Sequence, residues 1–161
     1  MLAFGFENVA LAESPDSVVT KARSEVHLAI GPAMAGIQRA EGWDTQVGGE
    51  LHLVRLASET PLAALGGAFG ALTFAEDETI RLYLDTYVGF RITSDLTIGV
   101  ALAPVVDLHP TRRSQLGFRG TAWVHAGIAP YVAASKTWGL GASDHIDIAV
   151  GLRIPFSIAR F

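Results

Sequence analysis

Residues 145–158 read His145-Ile146-Asp147-Ile148-Ala149-Val150-Gly151-Leu152-Arg153-Ile154-Pro155-Phe156-Ser157-Ile158, and this stretch decides the fold. Ile146, Ile148, Val150, Leu152, Ile154, Phe156 and Ile158 occupy the even positions without a break. The odd positions hold His145, Asp147, Ala149, Gly151, Arg153, Pro155 and Ser157. Side chains in a strand leave alternately on opposite faces, so period two separates these two sets cleanly. A helix would smear both around its circumference. The stretch is predicted as one long strand with a single apolar face.

The same split recurs upstream. At 79–92, Ile80, Leu82, Leu84, Val88, Phe90 and Ile92 oppose Arg81, Tyr83, Asp85, Tyr87, Gly89 and Arg91. At 96–108, Leu96, Ile98, Val100, Leu102, Val106 and Leu108 oppose Thr97, Gly99, Ala101, Ala103 and Asp107. At 114–126, Leu116, Phe118, Ala122 and Val124 oppose Gln115, Gly117, Arg119, Thr121, Trp123 and His125. Softer alternation runs through Val26, Leu28, Ile30 and Met34, then through Val47, Leu51 and Leu53. The Gly- and Ala-rich segment 62–74 has no clear parity, and in 128–138 only Ile128, Val132 and Trp138 share a face.

Connections of two kinds alternate between these segments. Polar loops are expected at 40–44, 75–78, 109–113 and 139–144, and tighter turns at 58–61, 93–95 and 126–127. Eight strands joined in this way give four loops at one end and three turns at the other. The expected fold is all-β, an eight-stranded antiparallel up-and-down barrel over 24–161, with 1–23 as an N-terminal tail or extra strand. In that tail, Ala10-Leu11-Ala12 has the small-x-small form of a secretory cleavage site, although Glu7 and Asn8 precede it.

Composition narrows the setting. The chain is 161 residues, 50% hydrophobic and 17% charged, with mean hydropathy +0.34, apolar for a water-soluble domain. No run reaches the roughly 18 to 20 continuous apolar residues of a membrane-spanning helix. A formal net charge of −4 offers no basic arm for nucleic acid, and zero cysteines exclude disulfides and thiol chemistry. Lys21 and Lys136 are the only lysines, whereas water-facing sheets commonly carry many.

Alternation alone leaves open which face is inside. A lipocalin-like soluble barrel binding an apolar ligand has the same period with the faces reversed. An eight-stranded barrel, however, is just wide enough inside for its own side chains. Leu, Ile, Val and Phe from every strand would overfill it, while Gly, Ala and Thr among a few long polar groups fit. The apolar face is therefore predicted to face lipid, with the strands closed because hydrocarbon cannot satisfy a free edge. Trp43, Phe74 and Trp138 near the loop ends, and Phe90, Phe156 and Phe161 near the turn ends, suit two interfacial girdles.

The C-terminal residues Ala149-Val150-Gly151-Leu152-Arg153-Ile154-Pro155-Phe156 resemble the terminal β-signal of small Gram-negative outer-membrane β-barrel proteins of the eight-stranded OmpA/OmpX-like class. In that signal a Gly is followed by apolar residues three and five positions on, which Gly151, Ile154 and Phe156 match. Ala149 stands where a polar residue is usual, and five residues follow Phe156, the last of them the aromatic Phe161. The resemblance implies residence in the outer membrane, contact with the lipid bilayer, and insertion by the barrel-assembly machinery reading Gly151, Ile154, Phe156 and Phe161.

The inward charges Glu25, Glu50, Arg81, Asp85, Asp107, Arg119 and Arg153 are expected to form a lumen network, because buried charge is tolerated only when paired. Glu25 is expected beside Arg153, Arg81 beside Asp107, and Glu50, Asp85 and Arg119 at middle depth. Their expected role is to plug the barrel and hold its register; a proton or ion path is the functional alternative. Glu25-Val26-His27 and Glu50-Leu51-His52 each put a carboxylate and an imidazole on one strand face, but at different depths, so no metal site is assigned. Ser143, His145 and Asp147 are the nearest approach to the catalytic set of a lipid-modifying outer-membrane enzyme. With His145 and Asp147 expected inward, no catalytic residue and no cofactor is assigned. The expected role is structural or interactive.

Overall fold

A computed structural model describes residues 24–39, 42–57, 60–76, 78–139 and 145–161. The tail 1–23 and its Ala10-Leu11-Ala12 stretch lie outside the described residues. The strands are β1 (Ser24–Arg39), β2 (Gly42–Ala57), β3 (Leu62–Phe74), β4 (Ile80–Arg91), β5 (Thr97–Leu108), β6 (Gln115–His125), β7 (Ala129–Trp138), β8 (His145–Arg153) and β9 (Phe156–Arg160). Each pairs antiparallel with the next from β1 to β8, and β1 takes β8 and β9 along its other side. Since β8 and β9 are two halves of one stave, the described strands close an eight-staved up-and-down barrel.

The last stave is not the unbroken strand that its alternation predicts. Pro155 has no N–H to give a ladder, and its ring constrains the residue before it. Pairing with β1 therefore stops at Ala33–Arg153 and resumes at Ile30–Phe156, with a register shift between Leu28 and Ala29. The Ile154 N–H still bonds the Pro32 carbonyl at 3.2 Å, and Ile154 is half-buried instead of fully outward. Past the break, Phe161 and Val26 exchange both backbone bonds, at 2.9 and 3.2 Å, which carries the seam to the end of the chain.

The burial pattern sets the faces. Arg81 is 2% exposed and Asp85 0%, while Leu102 is 72% and Ile146 64% exposed. A lipocalin-like barrel requires the reverse, so the soluble alternative fails on this chain's own geometry. A continuous apolar belt on every stave far exceeds what a protein sustains against water. It is the outer surface of a transmembrane β-barrel. Among the described residues no helix is long and apolar enough to cross a membrane.

Three sequence expectations change in detail. The 40–44 loop is shorter, because Gly42, Trp43 and Asp44 already belong to β2. In β3 the ambiguous parity resolves with Ala68, Gly70, Leu72 and Phe74 inward and Leu65 and Phe69 outward. Phe74 is therefore a lumen residue and not part of an outer girdle, whereas Trp43, Trp138, Phe90, Phe156 and Phe161 are exposed. The β6–β7 turn is tight: Gly127 takes φ +84°, a left-handed conformation that costs a glycine nothing.

Candidate functional site

The lumen is the chemically distinctive region, and it is layered. Nearest the loops, Arg81 on β4 and Asp107 on β5 are register partners. The guanidinium donates Nε to Asp107 Oδ1 at 2.7 Å and Nη2 to Oδ2 at 2.6 Å, a bidentate fork. Nη2 also reaches Asp147 Oδ2 at 2.8 Å, and Nη1 reaches Ser135 Oγ at 3.2 Å. Arg39 adds ion pairs to Asp44 at 3.7 Å and Asp147 at 3.8 Å. Phe74 is held between two cations, with Arg39 4.6 Å and Arg81 5.1 Å from its ring centroid. Asp44 Oδ1 also accepts from the N–H groups of Thr45 at 2.6 Å and Glu76 at 3.2 Å, tying the start of β2 to the β3–β4 connection.

At middle depth Arg153 spans the lumen from β8. Its Nε lies 3.0 Å from Glu50 Oε1 on β2, and its Nη2 donates to Asp85 Oδ2 on β4, also at 3.0 Å. Glu50 further accepts from the Tyr83 hydroxyl and pairs with His52 Nε2 at 3.1 Å. Arg119 presents its guanidinium to aromatic faces, 4.3 Å from the Tyr83 centroid and 5.3 Å from Tyr131. Toward the turns, His52, Tyr87 and Trp123 meet edge to face, with centroids 6.3 and 6.0 Å apart.

Glycines make room for the large rings. Tyr83 stands opposite Gly70, Trp123 opposite Gly99, and Tyr131 opposite Gly151 in the ladders. In each case a methyl group on the glycine would overlap the facing ring. These three inward glycines are thus paired with the aromatics that cover them. Ring-over-glycine packing of this kind pins strand register.

Of the seven charges singled out in the sequence, six converge in these layers. Glu25 does not. The register sets it opposite Leu56, its carboxylate 3.4 Å from His27, while Arg153 stands opposite Ala33 farther up β1. The expected pair fails because the last stave runs on past Arg153 to Phe161, which bonds Val26, so the chain end and not Arg153 lies at the level of Glu25. Arg39, Asp44 and Tyr83 complete the network without having been singled out, and Asp147, weighed only as the acid of the Ser143-His145-Asp147 set, joins them. Inward parity marks Asp147 and Tyr83; nothing local in the sequence marks the Arg39–Asp44 lid.

Glu50–His52 and Glu25–His27 are separate in-strand pairs. Among the described residues no group of three or more His, Cys, Asp or Glu side chains is placed to hold a metal ion. Asp147, the acid of the Ser143-His145-Asp147 set, is engaged by Arg81 and Arg39; Ser143 lies outside the described residues. Of the assembly-signal residues, Gly151 lies under Tyr131, Ile154 sits in the break, and Phe156 and Phe161 face outward.

No protein-family model matches this chain, and no curated protein matches it. Among solved structures it is similar to a de novo designed transmembrane β-barrel, at 12% identity and TM-score 0.46, covering 80% of this chain and 95% of that one. It is also similar to Ail, the attachment invasion locus protein of Yersinia pestis, at 16% identity and TM-score 0.44, covering 83% and 99%. The complex of Ail with the heparin analogue sucrose octasulfate gives 14%, 0.42, 83% and 99%. The fold derived above rests instead on this chain's own register and burial.

Proposed function

We propose that this chain is a plugged outer-membrane barrel of a Gram-negative bacterium, with a structural or interaction role and no catalysis. One observation carries the reading: fully buried Arg81, Asp85 and Arg153 fill the inside while leucine, isoleucine and phenylalanine cover the outside. Side chains bonded across the lumen from β2, β4, β5, β7 and β8 support the reading of a closed interior. An eight-stranded barrel is narrow enough for such a plug to be complete. The residues Gly151, Ile154, Phe156 and Phe161 then serve the assembly machinery that inserts such barrels, with β8 and β9 docking last against β1.

The test combines two readouts on the refolded chain. Unboiled protein in SDS should run as a compact band that shifts on heating, because every stave is bonded on both sides. The same material in a planar bilayer should conduct no steady current. A chain that stays in solution without detergent and shows no shift would overturn the membrane assignment. Steady ohmic conductance would overturn the plug.

A further inference from the structure

The staves reach unequally far on the turn side. β7 pairs with β8 no farther down than Ala129–Arg153, while β9 carries the last stave on to Arg160. Among the described residues β9 pairs with β1 alone, so one edge of Phe156–Arg160 has no neighbouring strand. Phe161 and Val26 exchange both backbone bonds, and alternation then turns the N–H and C=O of Arg160 toward the open side. Burial sets β9 apart as well. In β7 every second residue is buried, whereas in β9 both faces are open and only Ala159 is half-buried.

The link from β8 to β9 is weakly tied to β1. Ile154 donates to the Pro32 carbonyl at 3.2 Å, but Pro32 has no N–H to return the bond. Gly31, its neighbour, lies so close to the Ile154 carbonyl that a methyl group there would overlap it. Pro155 follows, and pairing resumes only at Ile30–Phe156, with a further register shift between Leu28 and Ala29. Above this break β8 keeps hold of β1 from Ala33–Arg153 to Gln38–Ile148. Closure of the barrel therefore does not depend on β9.

We propose that β9 is a hinged strap, which swings off β1 about Ile154–Pro155 while β1–β8 stay closed. A segment with little buried surface, held by backbone bonds near solvent, opens at the low end of a fold's range of free energies. β9 meets both conditions. The strap walls the turn-side mouth of the lumen, where Ser157 Oγ stands 3.5 Å from His27 Nδ1 and His27 pairs with Glu25. Opening uncovers that pair and the edge of β1 from Ser24 to Ile30. The plug stays in place, since Arg153, which holds Glu50 and Asp85, precedes the hinge.

The test is residue-resolved amide exchange, by NMR, on the full chain folded in detergent micelles, with the heat-shifted band as the check that the barrel is closed. Val26 gives its N–H to β9, while alternation turns the His27 N–H toward β2 at the same depth. A swinging strap should leave Val26 and Phe161 on the order of 100-fold less protected than His27, because only the β9 side opens. The chain has no cysteine, so H27C/R160C places a single disulfide across the non-hydrogen-bonded pair next to Val26–Phe161. Oxidation should raise the protection of Val26 to that of position 27, and reduction should restore the difference. Equal protection of Val26 and His27 in the wild type would overturn the strap, whether both are slow or both fray with the end of β1. Unchanged fast exchange of Val26 in the oxidised variant would overturn it as well.

Discussion

Arg81 and Asp107 stand opposite each other on β4 and β5, joined by two parallel bonds of 2.7 and 2.6 Å inside the barrel. Removing one partner strands the other in a low-dielectric interior. Asp107→Leu or Arg81→Met is expected to destabilise the barrel by about 3–5 kcal/mol. The R81M/D107L pair should cost less than the sum of the single changes, since the two groups share one interaction. Urea unfolding followed by the heat-shifted band measures this; strict additivity would show that the fork contributes little.

Tyr83 lies over Gly70 and donates its hydroxyl to Glu50. Tyr83→Phe is expected to cost about 1–3 kcal/mol, because it leaves a buried acceptor one donor short. Gly70→Ala pushes a methyl into the ring and should cost about 1–3 kcal/mol by overpacking. The same unfolding measurement checks both. A neutral Gly70→Ala would mean the ring is free to move away.

Leu102 projects from the middle of β5 into the apolar belt. Leu102→Arg is expected to cost about 2–4 kcal/mol in a bilayer, the penalty for a basic side chain at mid-depth on a barrel's lipid face. On a water-facing surface the change would be close to neutral. Refolding yield and unfolding in phosphatidylcholine vesicles separate the two outcomes.

Gly127 closes the β6–β7 turn at φ +84°. Gly127→Ala forces a Cβ into the left-handed region and should destabilise by about 1–2 kcal/mol, although nothing lies within 4 Å to clash with it. The shift in the urea midpoint reads it directly. An unchanged midpoint would mean the turn relaxes to another shape.

The strands and their faces were legible in the sequence because alternation is a local property of an extended backbone. Ile146 through Leu152 had to lie on one side of their strand wherever that strand went, and the glycine-poor, leucine-rich side had to be outside once the barrel's width was considered. The opposition of Arg81 and Asp107 was also within reach, since they lie at the loop ends of two strands joined directly by the short 92–96 turn. Segment 62–74 resisted because alanine and glycine occupy either face at little cost, so the inward turn of Leu72 and Phe74 had no local signature.

Sequence alone thus determined that this chain is a set of alternating strands whose apolar faces point away from a polar interior. Tertiary structure decided who meets whom across that interior. Arg153 joins Glu50 and Asp85, and not Glu25, because each stave is offset from its neighbour and the last runs on past Arg153 to Phe161 before it reaches the level of Glu25. Such offsets accumulate around the whole barrel, so the position of Arg153 relative to Glu50 on β2 and Asp85 on β4 exists only once the ring is closed.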